Sequence, residues 1–167
     1  MASEEYPFRT YSTTGRPREQ ELNNTTDKSA SDTSATDTSA VRGPACIVYV
    51  EDNPANVRLL EFLVARHDDL QIMAADSGEA GIELIRDTQP DLVLMDIGLP
   101  GMDGFEALHV LKSDEATRHI PVVAISANAM PHDVEKGRQA GFMSYLTKPI
   151  DINELLDVVK QILTDGA

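Results

Sequence analysis

From residue 46 onward, short apolar runs rich in β-branched residues alternate with longer stretches in which apolar positions recur every three or four residues. The runs cover residues 46–50, 70–74, 92–95, 122–125 and 143–146. Each is too short for a helix and nearly continuous in its hydrophobicity, the pattern of strands buried on both faces of a parallel sheet. Between them, helices are predicted to begin near Pro54, Ser77, Gly104 and Pro131, with a last one after Asp151. The last is the clearest: Ile152, Leu155, Leu156, Val159, Ile162 and Leu163 fall on one face, and Asp151 with Glu154 makes a capping-box-like pair. Asp76 and Glu79 repeat that pair before the second helix.

Five strand–helix units, (βα)5, predict an α/β fold with a doubly wound, five-stranded parallel sheet. Right-handed crossovers leave few arrangements, of which the flavodoxin-like strand order 2-1-3-4-5 is the commonest small one. A ligand would then sit at the carboxyl ends of the strands. Residues 1–45 show neither periodicity, and 23–40 are almost entirely Asn, Thr, Ser, Asp and Ala. This part reads as a disordered Ser/Thr-rich tail or linker, followed by one domain over residues 46–167. A short duplication within it, SDTSA at 31–35 and TDTSA at 36–40, is too small to build a repeat architecture.

Composition narrows the picture. With no tryptophan among 167 residues, and four Phe and four Tyr, the core must be mostly aliphatic. Cys46 is the only cysteine, which excludes an internal disulfide and a cysteine-based metal site and leaves a buried strand position as its expected role. No run reaches the roughly 18 apolar residues of a membrane helix, and the polar start MASEEYPFRT lacks the features of a signal peptide, so a cytoplasmic location is expected. The net charge is −14, of which residues 46–167, with 21 acids and nine bases, hold −12. Such a surface repels phosphate backbones, predicting no nucleic-acid partner, and attracts cations and basic protein surfaces.

The chemistry gathers at the predicted strand ends. The first strand runs into Glu51, Asp52 and Asn53, and the third into Asp96, so three carboxylates converge where such a sheet places its site. Unpaired, they would repel one another, whereas an oxygen-only donor set with open positions suits Mg²⁺, or Mn²⁺, together with phosphate oxygens. The fourth strand adds Ser126 and the fifth Lys148, a hydroxyl and an ammonium suited to phosphoryl oxygens. Taken singly, each has a plainer reading: strand-end acids as helix caps, Ser126 as a loop residue, Lys148 as surface charge. Together, Asp52, Asp96, Ser126 and Lys148 lie 44, 30 and 22 residues apart along the chain, a far more specific signal.

With Val50-Glu51-Asp52-Asn53-Pro54, the stretch Met95-Asp96 through Asp103-Gly104, Ser126-Ala127 and Lys148-Pro149, residues 46 to about 163 resemble the receiver domains of bacterial-type response regulators. The style of Glu51 to Asn56 and Ser126 to Met130 is most similar to receivers of hybrid sensor histidine kinases and of stand-alone phosphorelay proteins. The resemblance implies that Asp96 accepts a phosphoryl group and that Asp52 and Asp96 ligate the metal directly. Glu51 would act through metal-bound water, and the Gly98 carbonyl would complete the ligands. It further implies that Lys148 contacts the phosphoryl group and that the Lys148-Pro149 bond is cis. Ser126 and Tyr145 would form a switch coupling the site to a face of the fourth helix, fifth strand and fifth helix.

Such a protein is a signalling switch rather than an enzyme, catalysing only its own phosphorylation and slow dephosphorylation. Its implied partners are a histidine kinase or histidine phosphotransfer protein and a downstream protein target, with no membrane contact and a monomer or weak dimer as the expected state. The chain ends soon after its fifth helix, leaving no room for a DNA-binding output domain, so output is expected through protein contacts. Two departures stand out. Gly98 occupies a position where relatives more often carry a larger side chain, and with Asn128 it is expected to set phosphoryl lifetime. Met143-Ser144 stands where an acid or amide is common, bearing on partner choice. Gly101 and Gly104 are expected to serve the turn after the third strand, and His67, His109, His119 and His132 show no metal-site spacing.

Competing readings are a C-terminal receiver fragment of a hybrid kinase, a phosphorylation-independent adaptor, a phosphatase and a flavin-binding module. The phosphatase lacks a second aspartate at position 98, and the flavin module lacks a phosphate-binding loop after the first strand.

Overall fold

The computed structural model describes residues 43–165; the predicted tail, apart from its last three residues, and its duplication lie outside them. Strands β1 (Ala45–Val50), β2 (Leu70–Ala75), β3 (Leu92–Asp96), β4 (Val122–Ser126) and β5 (Ser144–Thr147) alternate with five helices. These are α1 (Pro54–Val64), α2 (Gly78–Thr88), α3 (Gly104–Ser113), α4 (Pro131–Ala140) and α5 (Ile152–Asp165). The strands pair in parallel in the order β2-β1-β3-β4-β5, as expected for a flavodoxin-like sheet.

Alternation along each strand divides the core in two. Val48, Val50, Val93, Met95, Val122 and Ala124 face the α2 and α3 residues Ile82, Ile85, Ala107, Leu108 and Leu111. Ile47, Tyr49, Leu92, Leu94, Val123, Ile125 and Leu146 face Leu60 and Val64 of α1 and Leu155 and Val159 of α5. Each fully buried aliphatic side chain contributes about 1.5–3 kcal/mol over its exposed state, which is why both faces must be covered. Cys46 lies in β1 as predicted, but only half-buried.

Polar residues at the helix starts determine where the chain turns. Asn53 accepts a hydrogen bond from the Ala55 N–H at 2.9 Å, with Pro54 opening α1. At α2 the expected Asp76–Glu79 pair is replaced by Ser77, whose extended backbone brings its hydroxyl within 3.3 Å of the Ala80 N–H. A reciprocal capping box does form at α3, between Asp103 and Glu106. Asp151 accepts from the N–H groups of Asn153 and Glu154 at the start of α5. Helix α4 begins at Pro131 with no side-chain cap, and Gly137 is its one buried residue.

The turn after β3 depends on glycine as predicted. Gly101 takes φ +75°, and a Cβ on Gly104 would lie 2.5 Å from the Asp96 carbonyl oxygen. The first turn of α3 therefore lies directly against the end of β3. Among the described residues, no helix is long and apolar enough to cross a membrane.

Candidate functional site

Backbone pairing brings four strand ends to one edge. Beyond β1, the Glu51 N–H donates to Ala75 O at 2.9 Å, and beyond β3 the Ile97 N–H donates to Ile125 O at 2.9 Å. The Lys148 N–H donates to Ser126 O at 2.9 Å, continuing β5 alongside β4. These bonds hold Glu51, Asp96, Ser126 and Lys148 on rigid backbone.

Glu51 and Asp96 are 2% and 5% exposed, whereas Asp52 is open to solvent. Carboxylate oxygens of the three lie within 4.8 Å of one another. Burying two like charges this close requires a cation between them. In this structure the Lys148 ammonium takes that place, 2.6 Å from Glu51 Oε2 and 2.8 Å from Asp96 Oδ2. The remaining contacts are donors from nearby: the Tyr49 hydroxyl to Glu51 Oε2 at 2.8 Å, the Asn53 N–H to Glu51 Oε1 at 3.0 Å, and the Gly98 N–H to Asp96 Oδ1 at 2.9 Å.

The protonation states follow. Burial works to raise the Glu51 pKa, but the bonds from Lys148, Tyr49 and Asn53 outweigh it and hold Glu51 below the usual carboxylate range. Burial likewise works to lower Lys148, and its bonds to Asp96 and Glu51 hold it above the usual lysine value. Burial, and then the bond to Glu51, push the Tyr49 phenol well above its ordinary value. Glu51 is thus ionised, Lys148 charged and Tyr49 a permanent donor at neutral pH.

Of the residues singled out in the sequence, Glu51, Asp52, Asp96 and Lys148 are brought together as expected. Gly98 joins them through its N–H, and its missing side chain leaves that rim exposed. Ser126 lies on the same edge but points into its own loop, donating to Asn128 O at 2.8 Å and accepting from the Asn128 N–H at 3.2 Å. Asn128 contributes its main chain to that contact, and its side chain is exposed. Tyr145 is half-buried against α4, where a Cβ on Gly137 would come within 2.9 Å of the ring. The Lys148-Pro149 bond is cis, as the resemblance implied. Tyr49 is the residue that sequence reasoning missed. It falls within the apolar run 46–50, yet positions 49 and 51 share one side of an extended chain and only the tyrosine in that run carries a hydroxyl.

An all-oxygen donor set with two buried carboxylates, one exposed carboxylate and a resident ammonium has the chemistry of a hard-cation site. Mg²⁺ fits these residues: Glu51, Asp52 and Asp96 would hold it.

A family model described as the response regulator receiver domain matches residues 47–160. The polar-differentiation response regulator DivK of Brucella ovis is 40% identical over 120 residues, covering 72% of this chain and 97% of that protein. The receiver domain of the sensor histidine kinase PA1611 from Pseudomonas aeruginosa PAO1, with a magnesium ion coordinated in its active site cleft, superposes with a TM-score of 0.66 at 30% identity, covering 73% of this chain and 99% of that one. The signal receiver domain of a signal transduction histidine kinase from Syntrophus aciditrophicus gives a TM-score of 0.64 at 28% identity, covering 72% and 91%.

Proposed function

The chain belongs to the response regulator receiver domain family, and from that premise we propose that Asp96 is its phosphoacceptor in a two-component phosphorelay. Receivers are signalling proteins phosphorylated by histidine kinases, and the acidic trio Glu51, Asp52 and Asp96 fits the Mg²⁺ site of that family. The observation that carries the assignment is the buried Asp96 carboxylate at the end of β3, held by Lys148 Nζ at 2.8 Å and the Gly98 N–H at 2.9 Å.

In the proposed reaction an oxygen of Asp96 attacks the phosphorus of a phosphohistidine. The P–N bond breaks as the O–P bond forms, and the electron pair returns to the imidazole nitrogen, which takes up a proton. Mg²⁺, when bound, supplies charge neutralisation for the phosphoryl oxygens. Lys148, freed from Asp96 when a cation occupies the cluster, contacts the phosphoryl group. Ser126, at the end of β4 with its hydroxyl turned into its own loop, breaks from Asn128 to donate to a phosphoryl oxygen, and Tyr145 turns inward behind it. The open rim at Gly98, with Asn128, sets how readily water removes the phosphoryl group.

The partner surfaces follow from exposed apolar residues. Leu59 and Phe62 on α1 are 45% and 61% exposed, and Leu59 lines a small cleft with Lys148 and Pro149, a landing place for the kinase or phosphotransfer protein beside the site. Met130, just before α4, and Val134 in its first turn are both exposed, supporting the α4-β5-α5 face as the surface read by a downstream protein. In this reading the chain works in the cytoplasm, without nucleic acid or membrane, as a stand-alone receiver. The likeness to receivers within histidine kinases favours, as a second reading, the same chemistry in a receiver joined to a kinase.

The test is incubation with Mg²⁺ and a small phosphodonor, read by mass. One phosphoryl group is expected on the native chain, and none on Asp96→Asn or in chelator. A shift that survives either control would refute the site, and no shift on the native chain would favour a phosphorylation-independent adaptor.

A further inference from the structure

Tyr49 lies in the middle of the apolar run of β1, paired with Ala74 on one side and Leu94 on the other, and is 1% exposed. Its ring packs among Ile47, Leu60 and Leu94 on the α1 and α5 side of the sheet. A phenylalanine would fill that space equally well, so the core does not need the hydroxyl. That hydroxyl donates to Glu51 Oε2 at 2.8 Å, the same oxygen that receives Lys148 Nζ at 2.6 Å. No buried side-chain polar atom among the described residues lacks a partner, and the phenol has found its own in a carboxylate of the site.

We propose that Tyr49 is a positioning residue, holding the Glu51 carboxylate in place for the divalent cation once Lys148 lets go. The inference rests on reading Glu51, Asp52 and Asp96 as the Mg²⁺ site. Three donors fix Glu51 in this structure: the Asn53 N–H on Oε1, and Tyr49 and Lys148 on Oε2. Lys148 is not a permanent holder. It is shared with Asp96, and its positive charge must withdraw when a cation enters the same cluster. Without the tyrosine, Glu51 would then keep only the Asn53 N–H and could turn freely about its side-chain bonds. Tyr49 stays behind because it is neutral, buried and anchored by its ring. Position 49 thus supplies a donor to a carboxylate two residues ahead on the same side of the strand.

The test is calorimetric titration of the full chain with Mg²⁺, with no phosphodonor present. Tyr49→Phe is expected to fold and to bind Mg²⁺ about tenfold more weakly, the effect of having to re-fix one glutamate side chain on binding. In a Glu51→Ala background, adding Tyr49→Phe should change the affinity no further. An affinity within twofold of native, tighter binding, or the same tenfold loss without Glu51 would each overturn the assignment, the last by showing a general packing effect. If the native chain gives no Mg²⁺ binding, or if Asp96→Asn leaves that binding unchanged, the site reading itself fails and Tyr49's role with it. A second measurement uses the unaltered protein: the Tyr49 hydroxyl proton should stay protected from exchange in NMR spectra as Mg²⁺ is added. Its loss on metal addition would also overturn the proposal.

Discussion

Replacing Lys148 with Met removes the ammonium and keeps most of the side chain's length and apolar packing. The ammonium bridges Glu51 at 2.6 Å and Asp96 at 2.8 Å, whose side chains are 1% and 7% exposed. Deleting one partner of a fully buried ion pair costs about 3–5 kcal/mol, because the other charge is stranded, whereas an exposed pair contributes about 0–1. Lys148 is itself 23% exposed, so water reaches its end of the pair. We therefore expect an intermediate loss of about 2–3 kcal/mol, or about 10 °C in unfolding temperature. The effect of Mg²⁺ discriminates further. In the native chain a cation has to displace the ammonium, while in the variant it meets two uncompensated carboxylates. Urea unfolding in chelator and in saturating Mg²⁺ should therefore show a larger metal-induced gain for the variant. Equal midpoints in chelator, or equal gains on adding Mg²⁺, would refute the view that Lys148 stands in for the cation.

Four further outcomes follow from the same geometry. Glu51 has a lowered pKa, so its bonds add stability above the ordinary value of about 4.3, and that stability is lost as pH falls through its folded value; Glu51→Gln should flatten this acid limb in metal-free unfolding curves. Lys148 has a raised pKa, so its contribution is complete below about 10.4 and is lost as pH rises through its folded value; an equally steep alkaline decline in Lys148→Met would contradict this. Gly137→Ala should gain about 1 kcal/mol of helix propensity while its Cβ, 2.9 Å from the Tyr145 ring, pushes that half-buried side chain outward. Unfolding should change little and quenching of tyrosine fluorescence by iodide should rise; unchanged quenching would count against the contact. At Gly98 the nearest atom to an added Cβ is Asp96 Oδ1 at 3.6 Å, so glutamine fits. Gly98→Gln should shield the rim and slow loss of the phosphoryl group severalfold, and an unchanged hydrolysis rate would remove Gly98 from the timing of the switch.

The strands were legible because burial on both faces makes their hydrophobicity continuous, and their ends were not because the closing residues are polar. Asp96, Ser126 and Thr147 each complete a ladder that an apolar run stops one residue short of, and Met143 lies outside β5 with 62% exposure. Asp76 and Ser77 are both good helix caps by residue type; the extended backbone at Ser77, with φ −150° and ψ 161°, chose between them. The residue types of the site could be read from strand ends and spacing, but their pairing could not. That Lys148 bridges Glu51 and Asp96, or that Ser126 turns toward Asn128, depends on side-chain directions and a loop path that no periodicity encodes. Tyr49 was hidden for the opposite reason: its ring satisfies the core pattern so well that nothing in the pattern marks its hydroxyl.

The shortest strand connects the site to the outer face. β5 has four residues, with Tyr145 paired to Ala124 near its start and Thr147 paired to Ser126 at its end, immediately before Lys148. Any shift of Lys148 or Ser126 toward a phosphoryl group therefore acts on the strand that carries Tyr145, and Tyr145 rests on Gly137 of α4. That helix is also the one held least firmly. It has no side-chain cap, a glycine in its interior and Gly137 as its one buried residue, while α5 on the other side of β5 is anchored by Leu155 and Val159. A missing cap and an interior glycine each remove about 1 kcal/mol of helix stability. A phosphoryl group placed opposite Ser126 and Lys148 forms charge-assisted hydrogen bonds of comparable worth, roughly 1.5–3 kcal/mol each. In the proposed switch these energies are of the same order, so phosphorylation of Asp96 is expected to shift α4 and, with it, the exposed Met130 and Val134.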